Sequence, residues 1–195
     1  MARKKEETRS RILNAALDAF EAKGYAASTM EEIAERAGVA KGTLYNYFDG
    51  KEALLSGLAE EFAQAVHGQL KRFAVEKSQP LRERILTVYE PLLDRGSETP
   101  RTLRAMRVIW GEGLRNPKIT EPICRKFLLP VLEPHGLLSK FIEGEDIPEF
   151  LKKYPLALAA PIIQGVVLTT IAGNAVKVDL RAYLEAYLDF VLKAR

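Results

Sequence analysis

Apolar residues recur every three to four positions along most of the chain, with polar or charged residues between them. This spacing is typical of amphipathic helices that bury one side, and no segment shows the strict alternation of a half-buried strand. We therefore predict an all-α protein. The pattern predicts a first helix over about 6–23, a helical pair over about 29–48, a long helix over about 51–74, and shorter helices from Pro80 to a last one after Asp179.

The helical pair begins with a short helix that has one apolar face. Four apolar residues lie on that face at helical spacing: Met30, Ile33, Ala34 and Ala37. Thr29 with Glu32, and Ser28 with Glu31, both fit a capping box, in which a hydroxyl and a carboxylate satisfy free amides of the first turn. Gly38 is expected to end the helix, because glycine adopts the left-handed conformation without side-chain strain.

The second helix of the pair has a polar outer face. Leu44 and Phe48 are four residues apart and are predicted to point inward, whereas Gly42, Thr43 and Asn46 fall on the opposite side. Threonine and asparagine can meet base edges, tyrosine hydroxyls and lysine can meet phosphates, and glycine lets the backbone come close. The pattern therefore favours a helix that reads DNA. An ordinary helical hairpin with a solvated polar face is the alternative interpretation.

The stretch from Arg9 to Leu55, about a quarter of the chain, resembles the N-terminal DNA-binding domain of the TetR (tetracycline-repressor-like) family of transcriptional regulators. The matching residues are Ile12, Leu13, Ala15, Ala16, Phe20, Gly24, Tyr25, Ser28, Thr29, Ile33, Ala34, Ala37, Gly38, Val39, Lys41, Gly42, Thr43, Leu44, Tyr45, Tyr47, Phe48, Lys51 and Glu52. The resemblance implies a sequence-specific DNA-binding regulator, expected to be a repressor and not an enzyme.

The resemblance also implies a two-domain organisation. Residues 1–52 would form a three-helix helix-turn-helix domain, and residues 53–195 a larger helical domain that binds an effector and dimerises. The family's dimer interface corresponds here to Leu156–Val176 and Leu180–Leu192. Two reading helices about 34–36 Å apart would then meet an inverted-repeat operator, and a small, largely apolar or aromatic ligand would release it.

Two positions depart from the family pattern. Ala40 stands where relatives usually carry serine or threonine at the start of the second helix, and Gly50 replaces a usual serine before the next one. With those hydroxyls absent, we expect Thr29, Tyr47, Lys51 and backbone amides to contact phosphates, and Thr43 and Asn46 to read bases. The predicted DNA-binding residues are Thr29, Lys41, Gly42, Thr43, Tyr45, Asn46, Tyr47 and Lys51.

Candidate walls of an effector pocket are the large side chains Tyr89, Met106, Trp110 and Phe127, although plain core packing is the alternative at each position. No cofactor, metal site or catalytic group is predicted. His67 and His135 have no neighbouring ligands at metal-binding spacing, and the acidic residues Glu143, Glu145, Asp146 and Glu149 fit no calcium loop.

Composition and charge change the picture only in detail. The chain has 195 residues, 47% of them hydrophobic, and a net charge of +3, so overall charge does not by itself predict a polyanionic partner. Five basic residues near the N-terminus form either a phosphate footprint or a solvated terminus: Arg3, Lys4, Lys5, Arg9 and Arg11. The single Cys124 and the polar N-terminus indicate a cytoplasmic protein.

The segment Tyr154–Val176 contains no charged residue, which is a property of membrane-spanning helices. Its prolines, glycines and polar residues favour a helix buried by protein instead. A membrane-tethered adaptor and a small helical enzyme remain as other classes, but neither accounts for the helical pair.

Overall fold

The computed structural model describes residues 2–93, 100–172, 175 and 178–193. In this part of the chain there are twelve α-helices and no strand, which confirms the all-α prediction. The helices are α1 (Ala2–Lys23), α2 (Met30–Arg36), α3 (Lys41–Tyr47), α4 (Lys51–Val75), α5 (Leu81–Tyr89), α6 (Arg101–Arg115), α7 (Pro117–Ile123), α8 (Leu129–Leu132), α9 (Leu137–Ile142), α10 (Glu149–Lys153), α11 (Ala160–Ala172) and α12 (Leu180–Val191).

The helices form two compact units. The first contains Met1–Glu61 and Arg104–Ile123, and the second contains Phe62–Leu103 and Cys124–Arg195. Each unit is therefore built from two separate pieces of the sequence. The domain boundary predicted at residue 52 stays a prediction, because compact packing does not test which part acts as an independent domain.

The core of the first unit joins α1 to the helical pair and to the start of α4. Its side chains are almost completely shielded from solvent: Ile12, Leu13, Leu17, Ile33, Leu44, Leu54, Leu55 and Leu58. Helix α1 begins at Ala2, four residues earlier than the apolar pattern predicts. The added turn is polar and exposed, and Arg3 pairs with Glu7 at 3.4 Å, an arrangement that supports a helix without burial.

In the second unit α11 packs closely on α12 because Gly165 has no side chain. A Cβ atom at this position would lie 1.9 Å from Cδ2 of Leu180, a distance that no real pair of carbon atoms adopts. Helix α12 begins as predicted after Asp179, whose carboxylate accepts a hydrogen bond of 2.9 Å from the amide of Ala182. The small residue and the cap together fix where the last two helices meet.

The uncharged segment is not one continuous helix. Pro155–Ala159 forms a 3₁₀ turn, and the α-helix begins at Ala160, with Pro161 in its first turn where its missing N–H is tolerated. Residues 173, 174 and 176 of the segment lie outside the described residues. Among the helices that the structure describes, none is both long and apolar enough to cross a bilayer.

A buried ion pair joins three elements of the second unit. The Arg84 side chain on α5 is 1% exposed, donates a 2.9 Å hydrogen bond to the carbonyl oxygen of Phe73 and pairs with the carboxylate of Glu145. Its guanidinium carbon lies 5.2 Å from the centre of the Phe141 ring. The pair therefore attaches the loop between α9 and α10 to α4 and α5.

Candidate DNA interface

Helix α2 begins at a capped N-terminus and ends in a tight turn, as the sequence predicts. The Thr29 hydroxyl accepts a hydrogen bond of 3.2 Å from the amide of Glu32. Gly38 has a φ of +62°, and the amides of Gly38 and Val39 donate to the carbonyl oxygens of Glu35 and Ala34. This is a Schellman motif, which satisfies the last carbonyls of α2 and turns the chain into α3.

By its spacing to Glu31, Ser28 fits a capping box at the start of α2, but the structure gives it a different role. Its side chain is buried, and its hydroxyl lies 2.8 Å from the carbonyl oxygen of Gly24 and 3.1 Å from that of Ala19. The assignment of a cap to Ser28 was therefore wrong, and Thr29 holds that role alone. Ser28 instead joins the end of α1 to the turn that leads into α2.

Helix α3, which we call the reading helix, has one buried and one accessible side. Leu44 is completely buried, and Phe48, just after the helix, is 6% exposed. The predicted contact residues lie on the accessible side: Lys41, Gly42, Tyr45 and Asn46 are exposed, and Thr43 and Tyr47 are half-buried. No heavy atom within 4 Å would meet a side chain at Gly42. The reading helix therefore presents a small, polar surface that another backbone can approach.

Lys41 has an acidic neighbour in the free protein. Its ammonium pairs with the carboxylate of Glu31 on α2, and it lies 5.9 Å from the centre of the Tyr45 ring. The hydrogen bond with Lys41 lowers the pKa of Glu31 below its ordinary value, and the same contact raises the pKa of Lys41. A phosphate that binds Lys41 would therefore replace Glu31 as the partner of this cation.

Lys51, predicted to contact phosphate, also connects parts of the first unit. Its ammonium donates hydrogen bonds to the carbonyl oxygens of Tyr25 at 2.7 Å and Ala26 at 3.0 Å. It also lies 4.9 Å from the centre of the Tyr25 ring. Burial, with smaller effects from the charges of Glu52 and Glu112, raises the pKa of Tyr25 to about 12. Lys51 thus holds the turn before α2 against the start of α4.

We expect Lys51→Ala to have two separable effects. Loss of the hydrogen bonds to Tyr25 and Ala26 should lower the free energy of unfolding by about 1–2 kcal/mol. Loss of a phosphate contact should weaken binding to every duplex alike and reduce the slope of log affinity against log salt by about one. Thermal unfolding measures the first effect, and duplex binding at several salt concentrations measures the second.

Lys71→Ala is the matched control, since Lys71 is an exposed lysine further along the same helix. It should leave stability and salt slope unchanged. An unchanged melting temperature for Lys51→Ala would contradict its structural role, and an unchanged salt slope would contradict its contact with phosphate.

Two arginines of the first unit are held by carboxylates. Arg9 on α1 lies 2.9 Å from Glu60 and 3.6 Å from Glu61, and its guanidinium carbon is 5.7 Å from the centre of the Phe48 ring. Arg9 is thus half-buried beside the end of the reading helix and does not belong to a free basic terminus. Sequence analysis did not identify the second arginine, Arg104.

Arg104 attaches α6 to α1 within the first unit. Its guanidinium lies 2.7 Å from the carboxylate of Asp18 and also pairs with Glu21. These hydrogen bonds raise the pKa of Arg104 further above its ordinary value. No local pattern could have identified this contact, because residues 18 and 104 are 86 positions apart.

The four side chains predicted to line an effector pocket do not lie in one unit. Tyr89 and Phe127 belong to the second unit, whereas Met106 and Trp110 belong to the first. Tyr89 and Met106 are buried, and Trp110 and Phe127 are half-buried. Burial raises the pKa of the Tyr89 hydroxyl. Their role in ligand binding stays a prediction.

Comparison with known proteins agrees with this geometry. The sequence model of the family described as "Bacterial regulatory proteins, tetR family" matches residues 12–58, which include the second half of α1, all of α2 and α3, and the start of α4. The chain is 36% identical over 123 residues to the HTH-type transcriptional repressor KstR of Mycolicibacterium smegmatis. That match covers 63% of this chain and 51% of KstR, so the chain spans about half the length of this relative.

Solved structures share the fold over almost the whole chain. A transcriptional regulator from Rhodococcus sp. RHA1 has a TM-score of 0.69 at 22% identity, covering 95% of this chain and 96% of that one. The TetR-family repressor FadR of Thermus thermophilus, solved in complex with lauroyl-CoA, has a TM-score of 0.61 at 21% identity, covering 95% and 93% of the two chains.

The fold and the exposed reading helix define a helix-turn-helix unit, an arrangement that DNA-binding proteins use to place a helix in the major groove. Residues 12–58 of the chain match the TetR family of bacterial regulatory proteins. Its relatives and structural neighbours are transcriptional regulators, in agreement with the expectation that the chain is not an enzyme. Regulators of this family bind operator DNA and ligands and act as dimers.

Proposed function

We propose that this protein is a repressor that binds an inverted-repeat operator as a homodimer and is released by a small, largely apolar or aromatic ligand. The observation that carries the proposal is the reading helix, whose buried Leu44 and Phe48 leave Thr43 and Asn46 accessible to a DNA groove. Thr29, Tyr47 and Lys51 would contact phosphates on either side of those bases. A regulator that binds operator DNA would act in the cytoplasm.

The dimer is supported by an apolar face on the last two helices of the second unit. Val167, Leu168 and Ile171 of α11 are 40%, 49% and 79% exposed, and Tyr183 and Phe190 of α12 are 39% and 73% exposed. These positions share one side of each helix, and a cluster of exposed apolar side chains is typical of an interaction surface. The face lies within the two segments predicted to form the interface, Leu156–Val176 and Leu180–Leu192.

Ligand response is supported by the related proteins. FadR of Thermus thermophilus shares the fold and was solved with lauroyl-CoA, a molecule with a long apolar chain. A ligand releases the operator when it binds one conformation of the protein more tightly than the DNA-bound one. A differential affinity of a few kcal/mol suffices, because each 1.4 kcal/mol changes operator affinity about tenfold.

Selection of bound duplexes from a random pool tests the operator directly. The proposal expects an inverted repeat whose half-sites are centred about one helical turn apart or a multiple of it. A single, asymmetric site, or no enrichment of any sequence, would overturn the proposed mode of binding.

Asn46→Ala and Thr43→Ala should change which sequences are preferred. Each removes a contact to a base edge, so the ratio between the selected operator and an operator changed at one base pair should fall about 5- to 100-fold. The measurement is competition binding with duplexes that differ at single positions. Asn116→Ala is the matched control, because Asn116 is exposed and lies outside the helical pair. An equal loss on every sequence would contradict base reading by Asn46 and Thr43.

A further inference from the structure

A cavity of about 540 Å³ lies in the second unit, between α8, α9, the end of α10 and the start of α11. This volume falls within the range of about 300–1,000 Å³ that small-molecule sites occupy. None of the side chains predicted from the sequence to hold an effector lines it. The cavity is therefore a separate feature with its own chemistry.

Most of the cavity wall is apolar. Val131 and Leu132 of α8 and Leu138 of α9 form one side, and Leu156 and Ile163 lie on the other. Leu156 is 43% exposed, so part of this apolar surface is in contact with water when the cavity is empty. An apolar group that enters would remove this surface from water, which is worth about 25 cal/mol for each Å².

The polar groups of the cavity are hydrogen-bond donors. Lys153 carries a positive charge, Ser139 and Tyr154 offer hydroxyls, and none of the described residues that line the wall is an aspartate or a glutamate. The side-chain oxygen of Gln164 accepts a hydrogen bond from the hydroxyl of Tyr183, and its NH₂ group can donate to a ligand. A cavity with this set of donors favours a negatively charged group.

Lys153 differs from its neighbour Lys152 in having no acidic partner among the described residues. The ammonium of Lys152 lies 3.9 Å from the carboxylate of Glu149, one turn earlier on α10. Lys153 instead lies 5.4 Å from the centre of the Tyr154 ring, and no described carboxylate is within 4.0 Å of its ammonium. Its charge is therefore available to an anion in the cavity.

We infer that this cavity binds an amphipathic carboxylate, with the apolar part against α8, α9 and α11 and the carboxylate paired with Lys153. The apolar wall accounts for the chain or ring of the ligand, and the unpaired cation accounts for its charge. The inference deepens the proposed function by naming a class of ligand and a site. Binding itself does not depend on DNA recognition.

Calorimetric titration of the full chain with dodecanoate, below the concentration at which it aggregates, tests the site. We expect saturable binding with one dodecanoate for each chain. Dodecan-1-ol has the same apolar chain without the charge and should bind at least 10-fold more weakly. Equal affinity for the two compounds, or no saturable binding of dodecanoate, would overturn the inference.

Lys153→Gln should weaken dodecanoate binding about 10-fold and leave dodecan-1-ol binding unchanged, because only the charged contact is lost. Lys152→Gln is the matched control and should change neither affinity. The same loss in both variants would show general attraction of anions and would contradict a site at Lys153. Ala157→Trp, which places a large side chain in the cavity, should abolish binding of both compounds without loss of the cooperative thermal transition.

A second copy of the chain could cover the cavity instead. In that case dodecanoate would bind only to a variant that cannot dimerise, and this result would also overturn the inference. Because the titration contains no DNA, a failure to bind dodecanoate leaves the proposed repression intact. A failure to select an operator likewise leaves the titration result unchanged.

Discussion

Glu145→Ala is expected to lower the free energy of unfolding by about 3 kcal/mol, because it leaves the guanidinium of Arg84 buried without a counter-charge. Breaking a buried ion pair by removing one partner typically costs about 3–5 kcal/mol. The lower end applies because the Glu145 side chain is 21% exposed and water can replace part of it. For a chain of this length the melting temperature should fall by roughly 6–12 °C.

Thermal and urea unfolding measure this effect, and Glu149→Ala is the control. Glu149 is 87% exposed and, among the described residues, forms an ion pair with Lys152 alone, so its loss should change stability by less than about 0.5 kcal/mol. The double variant Arg84→Met with Glu145→Leu removes both charges and should recover most of the lost stability. If Glu145→Ala were as stable as the original protein, the ion pair would not hold the loop in place. The same conclusion would follow if the double variant were no more stable than Glu145→Ala.

Ile171→Glu and Phe190→Glu are each expected to separate the homodimer. Both side chains are largely exposed in the single chain, so the fold of each unit should change in stability by no more than about 0.5 kcal/mol. In an apolar interface, however, a carboxylate must lose its water without gaining a partner. Sedimentation should then show a mass of 21.8 kDa in place of twice that value.

Operator binding should fall much further than stability. A dimer binds the operator with two linked reading helices, and this linkage raises affinity about 10²–10⁴-fold. A separated monomer has one reading helix and should lose that gain. Leu114→Glu is the control, since Leu114 on α6 is 84% exposed but lies on neither of the last two helices. It should keep both the dimer mass and the operator affinity. If Ile171→Glu and Phe190→Glu also kept them, the proposed interface would be wrong.

The helical pair could be predicted from sequence because its determinants are local. The Thr29 cap, the turn at Gly38 and the inward positions of Leu44 and Phe48 all depend on residues within a few positions of one another. Each was confirmed. The start of α1 was placed too late because its first turn is polar and carries no apolar pattern.

Contacts between distant parts of the chain could not be predicted in this way. Ser28 fits a cap by spacing, yet its hydroxyl is taken by carbonyl oxygens at the end of α1. Lys51 fits a phosphate contact, yet its ammonium also binds two carbonyl oxygens of the turn near Tyr25. In both cases the residue type predicts the chemistry, and the partner depends on which elements pack together.

The first unit is built from two separate pieces of the chain, and this affects when it can form during synthesis on the ribosome. The unit contains Met1–Glu61 and Arg104–Ile123, so 62 residues must be made between the end of its first piece and the end of its second. At about 5–20 residues per second this takes ~3–12 s. Arg104, the partner of Asp18 and Glu21, is made 43 residues after Glu61, and α6 is complete only at Arg115. The helical pair is therefore synthesised well before α6, and the first unit can be completed only once the chain has been made as far as Ile123.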